Sequence, residues 1–523
     1  MTGNSTKNII KNSMNISTSL VLNGIIVGAV AGGTAILYRL ALAGGEEILY
    51  KIINFVQGNP LLMALWFLAL FCLALIVGRI VQWEPMTAGS GIPQIIGEMK
   101  GYFDPEWRKV IAGKLAGGIL CIFGGLSLGR EGPSLQLGAM SGKAVARALK
   151  KDRTQERYLV TCGASAGLAA AFNAPLAGIM FSLEEIHKNF SAAILISIMV
   201  ASVAADFISE HVFGLSPVFH FEVNAVLPLD SYWVIILLGA LLGVLGALYN
   251  RTTLAMQRLY DRIGFLKPEH KTILPFMAAG AIAFVLPQAL GSGHAMIELL
   301  GGGNMVFTTV LILLVVKFFF SIFCFGSGAP GGIFFPMLVI GAYIGQAYGL
   351  LSVSLFGVGP DFMNNFIILA MAGYFAAIVR APITGIVLIA EMTGSLKHLL
   401  PLAIVAMVAY YVAHLLKSSP IYESLLDRML EKLKPSKRIR SGEKMLAEIV
   451  VHQGSCAAGK QIGETCWPES CLLVSIRRGG AEIIPKGNTR ILPGDTLVAL
   501  VDVDRYEDIQ KQLQDVCAFV ING

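Results

Sequence analysis

Charge is what this chain has least of. Only 14% of its 523 residues are Asp, Glu, Lys or Arg, against about 25% in soluble proteins, while 55% are hydrophobic and the mean hydropathy is +0.68. That shortage excludes an ordinary soluble enzyme and a disordered chain. No basic stripe interleaved with aromatics occurs, so the net charge of +6 calls for no nucleic-acid partner. The amino terminus, with Lys7 and Lys11 among Asn and Ser, lacks an apolar core followed by a small-residue cleavage site, which argues against a cleaved signal peptide. Zinc spacing is also lacking: Cys466 and Cys471 have only His452 near in sequence, and no metal site is expected. Glycine is abundant at 57 residues, more than unbroken spanning helices need, and it points to close helix packing or interrupted helices.

The charge is unevenly placed. From Lys437 onward, 11 basic and 11 acidic residues make that stretch about 25% charged, as in a soluble domain; the first 436 residues hold 29 and 23, about 12%. We therefore expect a cytoplasmic amino-terminal segment over 1–18, a membrane domain over 19–434, a linker over 435–444 and a soluble domain over 445–523. The Lys/Arg-rich linker follows the last apolar run, so positive-inside logic places both termini in the cytoplasm of a multi-pass protein of the cell (inner) membrane. Reduced thiols are expected in such a tail.

Apolar runs near Leu20–Ala43, Leu61–Val81, Ala192–Phe207, Trp233–Tyr249, Ile273–Leu290, Val306–Phe325 and Leu399–Leu416 read as spanning helices. Between them lie segments too short or too broken by Gly and Pro to span alone: Gly89–Gly97, Gly124–Gly142, Ala164–Glu185, Gly326–Gly345 and Ala372–Glu391. Such backbone is tolerated at membrane depth only where protein buries it or it lines a watery cavity. The broken segments also resemble one another. Pro133-Ser-Leu-Gln-Leu-Gly-Ala-Met-Ser-Gly142 aligns with Pro336-Met-Leu-Val-Ile-Gly-Ala-Tyr-Ile-Gly345, and the segment from Ala174 to Glu184 aligns with that from Ala381 to Glu391. Two related halves with interrupted helices point to a transport site between them.

In Gly89-Ser-Gly-Ile-Pro93, Gly129-Arg-Glu-Gly-Pro-Ser134 and Gly331-Gly-Ile-Phe-Phe-Pro336, glycine permits a turn and Pro falls in the first turn of a new helix. Helix starts that converge present free N–H groups to an anion. Ser90 and Tyr422 add hydroxyl donors suited to a halide, which only accepts hydrogen bonds. No Thr-Val-Gly-Tyr-Gly cation filter is found. Glu131 lies within one of these turns, where a carboxylate can occupy the anion's position and leave on protonation; the other reading is a helix cap paired with Arg130. Glu184 and Glu185 end an apolar run, as interacting acids or as a solvated helix end. Lys114 and Lys317 either support a positive potential or snorkel.

Together these motifs resemble the CLC chloride channel and transporter family, whose GSGIP, GREGP, GxFxP and late filter Tyr stand in family order between about Leu20 and Leu433. The resemblance implies an all-α polytopic membrane domain of two inverted-topology repeats with broken helices, assembled as a homodimer. It implies chloride as substrate, coordinated by the Ser90 and Tyr422 hydroxyls and the Ile333 and Phe334 amides, with Gly89, Gly91, Arg130 and Lys114 in support. By the same resemblance, Glu131 is the external gate and proton carrier, and Glu185 the internal proton-transfer acid. Gln94 stands where many members have Glu, and Phe335 where Ala is frequent. Ser90 resembles the chloride-preferring rather than nitrate-preferring members, and Glu131 argues against the fluoride-exporting branch. Both acids favour proton-coupled exchange; the alternative is a voltage- or ligand-gated passive chloride channel.

After Lys444 the pattern turns to short strands, at Glu448–Val451, Leu472–Arg477 and Thr496–Val501, and then a helix over Tyr506–Val516. This small α/β domain resembles the TrkA-C (RCK C-terminal) regulatory module, through the run from Ile483 to Leu497, rather than paired CBS domains. The resemblance implies a dimer that either clamps subunits or takes a nucleotide effector such as a cyclic dinucleotide. No cofactor is expected. Two enzyme-like strings are set aside: Gly163-Ala-Ser165-Ala-Gly167 lacks the strand-turn-helix context of a hydrolase nucleophile, and Gly138 to Lys143 is a residue short of a P-loop.

Overall fold

The computed structural model describes residues 3–187, 192–219, 221, 227–264, 266–301, 305–432, 444–469, 471–478, 481–502 and 506–517. The expected linker lies outside the described residues but for its last position. The chain divides into two compact units, Met1–Leu433 and Lys434–Gly523.

The first unit is helical throughout: α1 Gly3–Val56, α2 Pro60–Trp83, α3 Ile92–Met99, α4 Trp107–Phe123, α5 Glu131–Ala148, α6 Arg153–Phe172, α7 Pro175–Phe181, α8 Ala192–Phe213 and α9 Tyr232–Arg262. There follow α10 Ile273–Val285, α11 His294–Gly301, α12 Phe307–Gly326, α13 Phe334–Phe356, α14 Met363–Val379, α15 Pro382–Thr393, α16 Leu399–Leu415 and α17 Ile421–Lys432. Among the described residues, seven helices are long and apolar enough to cross a membrane.

Those seven differ from the runs read off the sequence. The run Ile273–Leu290 yields only the 13 residues of α10, because Pro287 cannot donate to an extended helix and disfavours helical backbone at Leu286. Leu399–Leu416 yields 17 residues in α16. Conversely α13, set apart as too broken, runs for 23 residues, and Pro360–Val379 is a further candidate span. The reason is where the breakers fall. Gly331, Gly332 and Pro336 sit at the entry to α13, where a helix tolerates them. Gly341 and Gly345 lie inside it but face α14, where a Cβ would stand 3.1 Å from the Ala370 carbonyl oxygen and 2.4 Å from that of Phe366.

The same device appears more tightly in α5 and α6. A Cβ on Gly138 would lie 2.1 Å from the Gly163 carbonyl oxygen, and one on Gly167 would lie 2.3 Å from that of Ser134. Much of the excess glycine is thus spent on backbone-to-backbone packing. The Gly163–Gly167 string belongs here, with the buried Ser165 hydroxyl 2.5 Å from that of Ser202 on α8.

The second unit is a four-stranded antiparallel sheet in the order β1-β4-β2-β3, with β1 Lys444–Val450, β2 Cys471–Arg478, β3 Ala481–Ile483 and β4 Thr496–Asp502. A closing helix, α18 Tyr506–Cys517, buries Ile509 and Leu513 against Ala447, Ala499 and Val501. The three-residue β3 escaped the sequence reading because it is too short to show alternation. Asp495, 1% exposed, accepts two 2.8 Å hydrogen bonds from Arg478 and one from the Leu492 N–H. Burial alone would raise its carboxyl, but these bonds and the guanidinium charge hold it below the usual carboxylate range.

Candidate anion and proton site

Three broken motifs meet through their backbones. The Gly129 N–H donates to the Gly332 carbonyl at 2.6 Å and the Gly332 N–H returns the bond at 2.8 Å. The Gly331 N–H donates to Gly89 at 3.0 Å, and the Gly89 N–H to Gly328 at 3.3 Å. The starts of α3, α5 and α13 are thereby drawn to one place. A helix start leaves its first N–H groups without intrahelical acceptors, so Ile333, which caps α13, and Phe334, which opens it, stand among such donors.

The side chains named from the sequence are gathered around that junction. Ser90 packs on Gly132 so closely that a Cβ there would lie 2.3 Å from the Ser90 hydroxyl oxygen. The Tyr422 ring meets Phe181 edge-on at 6.2 Å, and Phe181 in turn lies 5.9 Å from Phe334. Ser90 and Tyr422 are buried, and within the described residues neither hydroxyl oxygen has a hydrogen-bond partner. Buried hydroxyls are nearly always satisfied, so these two donors are disposed toward a ligand.

Glu131 is the first residue of α5 and fully buried. Its Oε2 lies beside Gly129, where a Cβ would be 2.6 Å from it and 3.0 Å from the Phe335 nitrogen. Arg130 is 3.7 Å away, and the backbone N–H groups of Glu131 itself and of Phe335 face the carboxylate. A carboxylate set between two helix starts, facing N–H groups of both, is held by the field of those starts and by the Arg130 charge.

Glu184 and Glu185 have separate surroundings. Glu184 accepts from the Ile383 and Thr384 N–H groups at 3.3 and 2.8 Å and from the Thr384 hydroxyl at 2.8 Å, so it caps α15 instead of ending in solvent. Glu391, its repeat partner, accepts from the Leu176 and Ala177 N–H groups at 3.0 and 2.7 Å and caps α7. Each half supplies the cap for the other. Glu185 is buried in the π-helical turn Ser182–His187 that continues α7.

Neither lysine snorkels. Lys114 is buried and donates to the Thr87 and Gly89 carbonyls at 2.9 and 2.7 Å. Lys317, also buried, donates to Ala289 and Gly291 at 3.1 and 2.9 Å. Sequence reading overlooked what they grip: a second Gly-Ser-Gly at 291–293, visible by its spacing from 89–91. There Glu46 of α1 accepts from the Ser292 N–H and hydroxyl, both at 3.1 Å. Also overlooked was Lys143, whose buried ammonium lies among Glu98 at 2.7 Å, Asp104 at 2.6 Å and the Pro105 carbonyl at 2.9 Å. It ties the far ends of α3 and α5 together and fills the middle of an acidic cluster.

A cavity of about 500 Å³ is lined by Gly89, Ser90 and Gln94 together with Lys271, Arg428 and Lys432. Asp261 at the end of α9 pairs with both Arg428 and Lys432.

This arrangement of broken helices is that of a known class. Residues 72–414 match the family model described as voltage gated chloride channel, and residues 446–514 match that of the TrkA-C domain. The chain therefore belongs to the voltage-gated chloride channel (CLC) family and is a multi-pass integral membrane protein. Among its relatives is the H(+)/Cl(-) exchange transporter ClcA of Vibrio parahaemolyticus serotype O3:K6, 35% identical over 423 residues that cover 79% of this chain and 90% of the relative. The ClcA of Vibrio cholerae serotype O1 is 34% identical, covering 80% and 91%. A slow cyanobacterial Cl⁻/H⁺ antiporter of solved structure superposes with a TM-score of 0.74 at 32% identity, over 79% of this chain and 98% of the other. A eukaryotic CLC transporter gives 0.67 at 25% identity, over 86% and 80%.

Proposed function

We propose that this protein exchanges chloride for protons across the cell (inner) membrane, as a homodimer with both termini in the cytoplasm. The observation that carries the reading is the Glu131 carboxylate, buried at the junction of α5 and α13 where it faces the backbone N–H groups of Glu131 and Phe335. Ionised, it competes with chloride for the same helix starts; protonated, it loses the charge that holds it there and yields to the anion. Chloride is held by the Ser90 and Tyr422 hydroxyls and the Ile333 and Phe334 amides. Glu185 passes protons between the other side and Glu131. The names of the Vibrio and cyanobacterial relatives support coupled exchange over passive conduction.

Reconstitution in liposomes tests this. An outward chloride gradient should drive protons against their own gradient, and Glu131→Ala should stop proton movement while chloride still passes. Normal proton pumping by Glu131→Ala would overturn the assignment, and a reversal potential set by chloride alone would select the channel.

We also infer that the TrkA-C unit is a regulatory dimer taking a nucleotide, with a cyclic dinucleotide the first to try. Calorimetric titration of the full-length protein checks it. No heat with any nucleotide leaves the clamp role.

A further inference from the structure

The second Gly-Ser-Gly turn has its serine held by Glu46, but it sets the next residue in place. His294 follows Gly293, whose φ of +108° only glycine adopts without strain, and it opens α11. Its ring lies 4.3 Å from that of Phe335, tilted by 44°. Phe335 is fully buried, and its N–H is one of the two that face the Glu131 carboxylate. Glu131 and His294 thus meet the same residue, one at its backbone and the other at its ring.

His294 is partly exposed, yet its Nε2 is buried and has no hydrogen-bond partner among the described residues. It is not part of the cavity wall that includes Ser90, so its exposed edge opens elsewhere. The charged groups that face the ring are Arg130 at the start of α5, Arg39 of α1 and Lys317 of α12. A further positive charge among three cations is disfavoured, and the neutral ring keeps one nitrogen as an acceptor. Acceptors are what the helix starts lack. Ionised Glu131 suits their N–H groups, but the protonated carboxyl carries an O–H that no N–H can accept, and a buried donor left without an acceptor costs about 1–3 kcal/mol.

We propose that His294 Nε2 accepts the O–H of protonated Glu131 once the gate has left the helix starts, which parks the carboxyl beside the Phe335 ring while chloride enters. The proton remains on the carboxyl, so His294 is a positioning residue and not a carrier. This rests on the exchanger reading above and adds a residue to which that reading gave no role.

Stabilising the protonated, displaced carboxyl raises the pH at which the gate opens, so losing the acceptor must lower it. Proton-coupled chloride flux in liposomes is measured against pH, set equal on both sides. His294→Phe, which keeps the stacked ring, should move the midpoint about one unit toward acid, as for a buried hydrogen bond worth about a factor of ten. His294→Gln, which keeps an acceptor, should move it by less than about half a unit. In Glu131→Ala, where there is no carboxyl to receive, adding His294→Phe should leave chloride flux within about twofold. If His294→Phe does not yield folded protein, His294→Leu is read in the same two backgrounds. An unmoved midpoint overturns the proposal, as does an equal shift in His294→Gln or a loss of flux that persists in Glu131→Ala. Wild type that pumps no protons overturns the exchanger reading and this one with it; wild type that pumps, with variants that match it, overturns this one alone.

Discussion

The two halves of the membrane unit use the same parts with different occupants. In the first, Lys114 grips a Gly-Ser-Gly turn whose serine hydroxyl has no partner among the described residues. In the second, Lys317 grips the corresponding turn, but Glu46 already holds its serine. Duplication built two donor-rich turns, and a carboxylate of the protein's own closes one of them. The asymmetry extends to packing: in α5–α6 two glycines, Gly138 and Gly163, meet face to face, whereas in α13–α14 Gly341 and Gly345 meet the Ala370 and Phe366 carbonyls.

The packing difference should give the largest effects. Gly138→Ala must separate two backbones and is expected to cost about 3 kcal/mol or more, whereas Gly341→Ala, with more room, should cost about 1 kcal/mol; denaturant unfolding in detergent measures both, and equal costs would break the contrast. Removing Lys317 takes the side-chain donor from the Ala289 and Gly291 carbonyls, and removing Lys114 takes it from Thr87 and leaves Gly89 only the Gly331 N–H. Lys114→Met and Lys317→Met should each destabilise by about 2–4 kcal/mol, but only Lys114→Met should weaken chloride binding by calorimetry. The helix caps sharpen the symmetry instead. Glu184→Gln and Glu391→Gln should each cost about 1 kcal/mol in thermal unfolding, with additive effects in the double variant, since they serve different helices. Smallest is Glu46→Gln, which keeps the shape and loses a charged acceptor: a loss of about 1 kcal/mol or less with chloride flux unchanged. Altered flux would mean that the second turn faces the pathway after all.

Much of this was legible before any coordinates. The GSGIP, GREGP and GxFxP strings placed Ser90, Glu131, Ile333 and Phe334 because turns at helix starts need particular residues at particular offsets. The repeat was legible for the same reason. Span lengths were less so, since hydropathy does not reveal whether a glycine sits at a helix entry, as Gly331 does, or against a neighbouring backbone, as Gly345 does. The partners of Glu184 and Glu46 were beyond reach, because each lies on an element distant in sequence and a carboxylate carries no mark of which N–H it will meet.

The reciprocal caps have a consequence for synthesis. The start of α7 receives its carboxylate from a residue 214 positions later, and α15 waits on the earlier Glu184 in turn. At ribosomal rates of about 5–20 residues per second, α7 spends on the order of 10–40 s with its end uncovered. A nascent first half emerging alone is therefore an unfinished object, dependent on its second half or on the insertion machinery to shelter polar backbone from lipid.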